Sequence, residues 1–563
     1  MNHPLRPFCL FLNLALVGEH AVFAQPTQGR DARSSVPVSR ATDRRNAVRQ
    51  RPTAGTPVPY GILWITCEDM SAHLPSYGDR TVPTPNLDRL AREGVRYRRM
   101  FSTNGVCAPS RSAIITGMYP NSIGSNHMRT VQASRVGNGI INYETVPPPS
   151  VKCFPEYLRA AAYYCTNNSK TDYQFNAPFT TWDENGNQAH WRNRTDKSRP
   201  FFSVFNLEVT HESQIWARAS QPLRVNPATV KLPPIYPDNA IIRRDVARNY
   251  DNIMVMDSLV GVILKQLADD NLLDKTIVFF FSDHGSGMAW HKREIYDRGL
   301  HIPMIVRYPD GQQSGTWDED LHSFVDLAPS VLSLAGVPVP KYMQGQAFLG
   351  DQRSKTPRRY VYAARDRFDE HYDCSRAVRD KRFKYIRNYQ PDKPYYMDLA
   401  YRKQMPMMQE ILRLRDAGQL PPVTQGWFGP KPAEELYDLQ KDPDELNNLA
   451  QNPAFANQLA ELRRAEQQWV RDVHDKGFMQ ERDLITLFWP NNEQPATAPP
   501  QLNRTGNNTQ LVLTCATEGA SIGFKLDDGP WQLYCQPITV PTNAKVTAKA
   551  IRIGYKPSPE TTL

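Results

Sequence analysis

Gly61-Ile62-Leu63-Trp64-Ile65-Thr66 is a short, almost uninterrupted apolar run that ends in the polar residues Cys67-Glu68-Asp69. Such a run is typical of a strand covered on both faces, as in a parallel sheet. Thr276–Phe281 and Pro200–Leu207 repeat the pattern, and Ser282-Asp283-His284-Gly285 follows the first of them. These three segments therefore predict the core strands of one sheet.

A long amphipathic helix is predicted before the strand at Thr276. Asp257 lies on its apolar stripe and is interpreted as a hydrogen-bonded core carboxylate. The apolar members of the stripe are Tyr250, Ile253, Met254, Val260, Leu264 and Leu267. Apolar strands that alternate with amphipathic helices predict an α/β fold, with helices on both faces of a parallel or mixed sheet.

The chain is predicted to contain several segments of different character. Arg6 and the apolar run Phe8–Val17 precede the small-residue cleavage site Val22-Phe23-Ala24, which is typical of an export signal. Strands are also predicted at Tyr360–Tyr362 and Phe383–Ile386, and a charged helix at 453–473. The predicted segments are a signal peptide (1–24), a basic disordered spacer (25–56), a catalytic α/β domain (57–357), a smaller α+β subdomain (358–490), a linker (491–500) and a small β-sandwich module (501–563).

The formal net charge of +9 does not by itself indicate a nucleic-acid partner. Much of the excess lies in the arginines of the predicted spacer, and the remainder of the chain is close to balanced. No apolar run other than the predicted signal approaches the length of a membrane span. We therefore expect an exported protein, periplasmic or secreted, with no nucleic-acid partner and no membrane span.

Eight cysteines are too few for a disulfide framework in 563 residues. Cys67 and Cys374 are interpreted as buried or free thiols. In an oxidising compartment two pairs are candidate bridges, namely Cys153 with Cys165 and Cys515 with Cys535.

Each of the three predicted strands leads into ionisable residues. In open α/β sheets, ligands bind beyond the carboxyl ends of the strands, so Glu68, Asp69, Asp283, His284 and His211 are expected to meet at one edge. Hard oxygen ligands favour calcium or magnesium, and flexible coordination favours calcium. The sequence therefore predicts a calcium site at this edge.

The segment Cys107-Ala108-Pro109-Ser110-Arg111 predicts the start of a helix that ends at Gly117. Cys107 would lie at the helix N-terminus, where the amide dipoles favour an anion. Arg111 lies one turn further along the same face, where it could bind an oxyanion or orient the cysteine.

This segment, with Thr116-Gly117 downstream, resembles the signature of the type I sulfatases of the alkaline phosphatase superfamily. The resemblance covers roughly Gly61 to Phe478 and implies that superfamily's mixed sheet between helices. It also implies that a maturation enzyme oxidises Cys107 to formylglycine. Glu68-Asp69 and Asp283-His284 match the family's metal ligands, and Cys107 itself lies at the metal. Lys292 matches the sulfate-binding lysine, and Glu435–Leu439 matches part of the smaller subdomain.

Two positions depart from the family pattern. Glu68 stands where the family usually has an aspartate. In Asn168-Ser169-Lys170-Thr171-Asp172 the lysine of the family's Gly-Lys-x-His element is kept, but Asp172 replaces its histidine. His211 matches the family's second histidine.

The resemblance implies a mechanism in which a hydrated aldehyde attacks the sulfur. Arg111 and the metal stabilise the nucleophile, while Lys170 and Lys292 neutralise charge on the sulfate oxygens. His211 protonates the departing sugar oxygen or nitrogen. The second hydroxyl of the hydrate then expels sulfate, which a cysteine thiol cannot do.

The chain looks closest to the heparan N-sulfatase (sulfamidase) group, which implies a sulfated carbohydrate substrate with either an O–S or an N–S bond. The predicted β-module is similar to a C-terminal domain of some chitobiase-type glycan enzymes. Arg129, just after the signature helix, could also line the pocket. The residues predicted to contact the sugar are His127, Arg365, Arg367, Glu370 and His371.

Two other functions are compatible with the sequence. One is a phosphodiesterase or phosphonate hydrolase of the same superfamily, since some of these also use formylglycine. The other is a non-catalytic binder of sulfated glycans, although the retained signature, acids and lysines argue against it.

Overall fold

A computed structural model of the chain describes residues 60–136, 139–506, 510–541 and 543–563. The predicted signal peptide (1–24) and basic spacer (25–56) lie outside these residues. Among the described residues, none of the helices combines the length and the apolar character that a bilayer span requires.

An eight-stranded mixed sheet forms the centre of the structure, in the order β4-β3-β5-β1-β6-β7-β2-β8. β7 runs antiparallel to both of its neighbours, and every other pairing is parallel. The strands are β1 (Gly61–Cys67), β2 (Val95–Phe101), β3 (Tyr164–Asn168), β4 (Glu184–Asn185), β5 (Phe201–Leu207), β6 (Thr276–Ser282), β7 (His301–Arg307) and β8 (Trp317–Ser323). The three strands predicted from continuous apolar runs are confirmed as β1, β5 and β6, which lie side by side.

Helices cover both faces of this sheet. They are α1 (Pro85–Glu93), α2 (Cys107–Thr116), α3 (Pro120–Ile123), α4 (Pro155–Ala160), α5 (Ser213–Ala217), α6 (Ala240–Asp269), α7 (Asp297–Leu300), α8 (Leu327–Leu334), α9 (Pro406–Asp416), α10 (Pro422–Gly426), α11 (Ala456–Asp472) and α12 (Glu481–Phe488). Ile62 and Trp64 of β1 pack with α2, α4 and α8, whereas Leu63 and Ile65 pack with α1, α6 and α9. The predicted α/β fold, with a sheet between two helical layers, is confirmed.

Asp257 on α6 is a buried, hydrogen-bonded carboxylate, as predicted. Its Oδ1 accepts from the Leu87 amide at 2.8 Å and its Oδ2 from the Asn86 side chain at 2.9 Å, both in the first turn of α1. The first amides of a helix have no partner within the helix. Asp257 therefore caps α1 and ties it to α6.

Asp245 on α6 supports a prediction about stability. The carboxyl is buried and accepts from the Met407 amide at 2.6 Å, and burial raises its pKa to about 7. The folded protein holds this proton more tightly than the unfolded chain, in which the pKa is about 4, so stability falls as the pH rises from about 4 to about 7. We expect Asp245→Asn to raise the melting temperature by about 2–4 °C at pH 8 and to change it little at pH 4.5. Calorimetry at both pH values checks this prediction. An equal shift of the melting temperature at pH 8 and at pH 4.5 would contradict it.

A smaller antiparallel sheet follows, in the order β12-β11-β10-β9. Its strands are β9 (Val361–Arg365), β10 (Ser375–Arg379), β11 (Phe383–Asn388) and β12 (Glu434–Asp438). α11 packs on this sheet through Leu462, which meets Val378, Tyr385 and Leu436. The strands predicted around 361 and 384 and the helix predicted at 453–473 are confirmed as β9, β11 and α11.

The C-terminal residues form two small antiparallel sheets, which share a core of their own. Their strands are β13 (Gln501–Thr505), β14 (Gln510–Thr514), β15 (Ser521–Leu526), β16 (Gln532–Leu533), β17 (Ile538–Thr539), β18 (Val546–Ile551) and β19 (Thr561–Thr562). Lys152 donates to the Ser521 hydroxyl at 2.9 Å, and the rings of Phe179 and Trp531 lie 5.5 Å apart. The module thus rests against the region around α4.

The candidate disulfide bridges are wrong. Cys165 contacts the Pro155 carbonyl through Sγ at 3.8 Å, and Cys515 donates to the Ala498 carbonyl at 3.2 Å. These local contacts satisfy the thiols without a bridge. Both cysteines of the first candidate pair, Cys153 and Cys165, are free thiols, and so is Cys515 of the second pair. Cys67 and Cys374, interpreted from the sequence as buried or free thiols, are buried and free in the structure.

Candidate active site

Cys107 is the first residue of α2, at the edge of the sheet where the parallel strands end. Val106 before it is extended, and Gly117 ends the helix with φ 69°, its amide donating to the Ala113 carbonyl. A left-handed residue at this position favours glycine. The predicted helix is therefore confirmed, and it holds a fully buried Cys107 side chain at its N-terminus.

Four acidic and imidazole side chains surround this thiol. Glu68 and Asp69 follow β1, and Asp283 and His284 follow β6, so the pairing of these two strands brings them together. The Asp69 amide donates to Asp283 Oδ1 at 3.1 Å. His284 Nε2 lies 2.9 Å from Asp69 Oδ1 and 3.3 Å from Cys107 Sγ. All four side chains are buried.

Arg111 and Lys170 neutralise part of this negative charge. Arg111 Nε donates to Asp283 Oδ2 at 3.0 Å, and its Nη1 donates to Asn206 Oδ1 at 2.8 Å. Lys170, which follows β3, places Nζ 2.7 Å from Glu68 Oε1. Burial disfavours the charged ammonium, but the negative charges of Glu68, Cys107 and Asp172 together outweigh it and raise the pKa of Lys170. Both cations therefore stay charged beside the thiol.

Lys292 and His211 close the opposite side of the cluster. Lys292 Nζ lies 2.7 Å from Asp69 Oδ2, 3.1 Å from Glu212 Oε1 and 3.3 Å from His211 Nε2. His211 Nδ1 lies 2.8 Å from the Ser213 hydroxyl, so Nε2 is the ring nitrogen that faces the cluster. The His211 side chain is 17% exposed, which leaves this residue accessible from outside.

The electrostatics favour an anion at position 107. Burial opposes the thiolate, but the charges of Lys292 and Lys170 outweigh it and lower the pKa of Cys107. Burial likewise opposes the Asp69 carboxylate, and Lys292 still holds the pKa of Asp69 well below its usual range. The cluster can therefore hold a compact anion next to the side chain of residue 107.

The donor set fits a hard cation such as calcium. Three buried carboxylates supply oxygen, the ligand type that calcium prefers. Burial opposes the imidazolium of His284, but Asp283 and Asp69 outweigh it and raise its pKa to about 10. In this protonated form His284 donates to Asp69. A bound cation would displace that proton, because only the neutral imidazole can ligate a metal. Two groups of side chains, which share Cys107, each have all of their candidate ligand atoms within 4.8 Å of one another. The first is Glu68, Asp69, Cys107 and His211, and the second is Cys107, Asp283 and His284.

Comparison with known proteins identifies the family. The Sulfatase family model matches residues 61–337, and the model described as N-sulphoglucosamine sulphohydrolase, C-terminal, matches residues 285–416. An ulvan-active sulfatase of Formosa agariphila is 45% identical over 540 residues, which cover 88% of this chain and 90% of that protein. The chain belongs to the sulfatase family. It is accordingly a hydrolase of sulfate esters or sulfamates.

More distant proteins are similar to this sulfatase in sequence or in fold. The human N-sulphoglucosamine sulphohydrolase is 25% identical over 465 residues, covering 74% of this chain and 91% of that protein. A solved 2-O GAG sulfatase superposes with a TM-score of 0.56 at 20% identity, covering 74% of this chain and 93% of its own. A protein solved with its substrate, D-glucosamine-2-N,6-O-disulfate, superposes with a TM-score of 0.55 at 17% identity, covering 75% of this chain and all of its own.

Three of the side chains predicted to contact the sugar are buried in this sulfatase. Arg365 Nη1 binds Glu294 Oε2 at 3.0 Å, and Arg367 Nη2 binds Glu481 Oε1 at 2.7 Å. His127 is enclosed beside the Arg367 amide, and burial lowers its pKa to about 4. The two arginines bind internal carboxylates and the histidine packs as a neutral ring, and contact of all three with the sugar stays a prediction.

The other two predicted sugar contacts support a loop of the sulfatase. Glu370 Oε1 accepts from the Ala400 amide at 2.8 Å, and His371 Nε2 lies 2.8 Å from the Asp398 carbonyl. These bonds fix the segment that leads into Tyr401. Both side chains are also partly exposed, so a direct contact with the sugar stays a prediction.

Apart from Arg129, the members of a buried ion network beside the site are missing from the predicted residue set. Arg293 binds both oxygens of Glu212 at 2.9 Å and one oxygen of Asp369 at 3.0 Å. Arg129 Nε binds the other oxygen of Asp369 at 2.5 Å. Glu212 and Arg293 each directly follow a predicted site residue, which is the one signal in the sequence that could have identified them.

Proposed function

We propose that this sulfatase removes sulfate from a sulfated carbohydrate and that its nucleophile is a formylglycine formed from Cys107. The observation that carries the proposal is the position of the buried Cys107 thiol, 3.3 Å from His284 Nε2 and enclosed by cations. The ulvan-active relative and the neighbour solved with a disulfated glucosamine support a sulfated sugar as the substrate class.

The surrounding side chains suit the binding of a sulfate group next to residue 107. A hydrated aldehyde at this position supplies a hydroxyl nucleophile and a second hydroxyl that can later expel sulfate. Lys170 and Lys292 approach the cluster from opposite sides, and the Arg111 guanidinium adds a planar set of donors. We infer that these three cations bind the sulfate oxygens and neutralise the charge that grows on them during attack.

His211 is the proposed general acid. Ser213 holds Nδ1, so Nε2 faces the cluster while the ring edge remains accessible. A proton on Nε2 can pass to the sugar oxygen or nitrogen as the bond to sulfur breaks. Asp172 stands where the family has a histidine, so the hydrogen bond that this histidine makes to the nucleophile is not expected here.

Calcium is the proposed resident metal, held by Glu68, Asp69 and Asp283 with contributions from residue 107 and His284. When bound it supplies Lewis acidity and positive charge beside the reacting sulfate. Magnesium is less suited to this set, because it demands a tighter octahedral geometry.

Chelation tests the metal assignment. Dialysis against EGTA is expected to lower sulfate release at least about tenfold and the melting temperature by a few degrees, because a ligand bound only to the folded state stabilises it. Calcium should restore both, and magnesium should restore less. Asp283→Asn should bind calcium weakly in titration calorimetry. Full activity and an unchanged melting temperature in EGTA would contradict the assignment.

We also propose that the chain is exported through the predicted signal at 1–24 and that a formylglycine-generating enzyme modifies it. The Cys107 side chain is buried in the folded protein, so a second enzyme can reach it only before folding is complete. This order is expected to make the modification depend on co-expression and not on later mixing.

The substrate class can be tested with matured protein and defined sugars. The chain is co-expressed with a formylglycine-generating enzyme and incubated with sulfated mono- and disaccharides bearing O-sulfate or N-sulfate, and released sulfate is measured by ion chromatography. Matched phosphate and phosphonate esters are assayed in parallel. Release of sulfate from a sugar supports the proposal. Faster turnover of phosphonate or phosphate esters, with no sulfate released, would overturn it.

A further inference from the structure

Arg129 lies beside the proposed site with only part of its guanidinium engaged. Its Nε donates to Asp369 Oδ1 at 2.5 Å. In the part of the chain that the structure describes, neither terminal nitrogen of Arg129 has a hydrogen-bond partner. The side chain is 29% exposed, so these two donors are available to a ligand.

The position of Arg129 places it on the same side of the pocket as the proposed general acid. Its Cζ lies 5.3 Å from the centre of the Tyr401 ring, and that ring lies 6.4 Å from the ring of His211. Trp216 packs edge-on against Tyr401 at 5.3 Å. His211, Tyr401 and Arg129 therefore form a continuous strip that leads outward from the sulfate position.

The guanidinium is held in place by the fold. Arg129 has φ 59°, a left-handed conformation that residues with side chains adopt rarely and that persists where the surroundings fix it. Its partner Asp369 is in turn fixed by Arg293, whose terminal nitrogens bind Glu212. A donor group positioned in this way can bind a ligand without a large cost in side-chain ordering.

The charge of Arg129 is only partly compensated. Asp369 is the one carboxylate within ion-pair distance of it among the described residues, and Asp369 is shared with Arg293. A free pair of terminal nitrogens matches the two oxygens of a carboxylate or sulfate in planar geometry. A neutral hydroxyl would use one donor and leave the charge unmatched.

We propose that Arg129 binds a second anionic group of the substrate, a carboxylate or a further sulfate, next to the sulfate that is removed. This proposal rests on the proposed function and narrows its substrate class to sugars with at least two negative groups. Tyr401 and Trp216 supply aromatic surface on which the sugar ring packs, and Glu370 and His371 hold the segment that carries Tyr401.

The test compares Arg129→Met with the unchanged enzyme on three substrates. They are 4-nitrophenyl sulfate, which has no second anion, a disulfated glucosamine, and a sulfated disaccharide containing a uronate. For the substrate with the correct second anion, the ratio of its kcat/KM to that for 4-nitrophenyl sulfate should fall about 10- to 100-fold, mainly through KM. The sugar for which this kcat/KM ratio falls shows whether Arg129 binds a second sulfate or a carboxylate. Arg129→Lys should recover part of the loss, because it keeps the charge but not the paired donors.

A control variant separates substrate binding from a structural effect. Arg89→Met changes an exposed arginine on α1. Arg89→Met should leave all three rates unchanged. If Arg129→Met lowers all three rates by the same factor, as a disturbed ion network would, the inference is overturned. The inference is also overturned if Arg129→Met changes the kcat/KM ratio to 4-nitrophenyl sulfate for neither of the two sugars. A parent enzyme that releases sulfate from none of the three substrates instead refutes the proposed function.

Discussion

Replacing Cys107 by alanine is expected to abolish sulfate release, with a loss in kcat/KM on the order of 10⁴-fold or more. Alanine cannot be oxidised to an aldehyde, so the variant has no nucleophile. The cation cluster remains, since Lys170, Lys292 and Arg111 make their ion pairs with other side chains. The variant should therefore fold and still bind sulfated sugar. Ion chromatography of released sulfate and titration calorimetry with the same sugar measure the two properties.

Cys515→Ala is the matched control for this variant. Cys515 is a thiol of the C-terminal module that donates to the Ala498 carbonyl. Its replacement should leave sulfate release within about twofold of the parent rate. Retained turnover in Cys107→Ala would refute the assignment of the nucleophile, whereas equal losses in the two cysteine variants would point to a general effect on folding.

His211→Gln is expected to lower kcat for a sulfated sugar by about 10²- to 10⁴-fold, the usual contribution of a general acid. A sugar alkoxide leaves poorly without a proton, whereas 4-nitrophenolate leaves readily without one. The same variant should therefore lose less than about tenfold on 4-nitrophenyl sulfate. Glutamine keeps the approximate size of the side chain, so the fold around Lys292 should persist.

The comparison of the two leaving groups decides the role of His211. Steady-state rates are measured for both substrates with the parent and the variant. Equal losses on the two substrates would mean that His211 binds the sulfate or supports Lys292, which lies 3.3 Å away, and would exclude it as the proton donor.

The sequence predicted well those parts of the fold that depend on local pattern. β1 and β6 were identified because both are uninterrupted apolar runs, and parallel pairing then required Glu68 and Asp69 to meet Asp283 and His284. The start and end of α2 followed from Pro109 and Gly117. For the strands and for α2 the deciding pattern is local, and the rule that ligands bind beyond the carboxyl ends of strands then brings the distant side chains together.

The parts that could not be predicted depend on pairs far apart in the sequence. Arg293 meets Glu212 across 81 residues, and Arg367 meets Glu481 across 114. In the sequence, Arg365 and Arg367 belong to a charged segment that looks solvent-facing, and only their distant partners make them internal. The candidate bridge between Cys153 and Cys165 failed for a different reason, since their spacing in the sequence does not give the direction of either side chain.

Whether formylglycine at position 107 is the nucleophile is decided by the mass of the Cys107 peptide, compared with sulfate release from the same preparations. The chain is produced with graded amounts of a formylglycine-generating enzyme, and the aldehyde fraction at position 107 is determined by mass spectrometry. We expect sulfate release from a sulfated sugar to rise in proportion to the aldehyde fraction and to be absent from fully unmodified protein. Undiminished release by protein that carries only the thiol, or no release by fully modified protein, would contradict it.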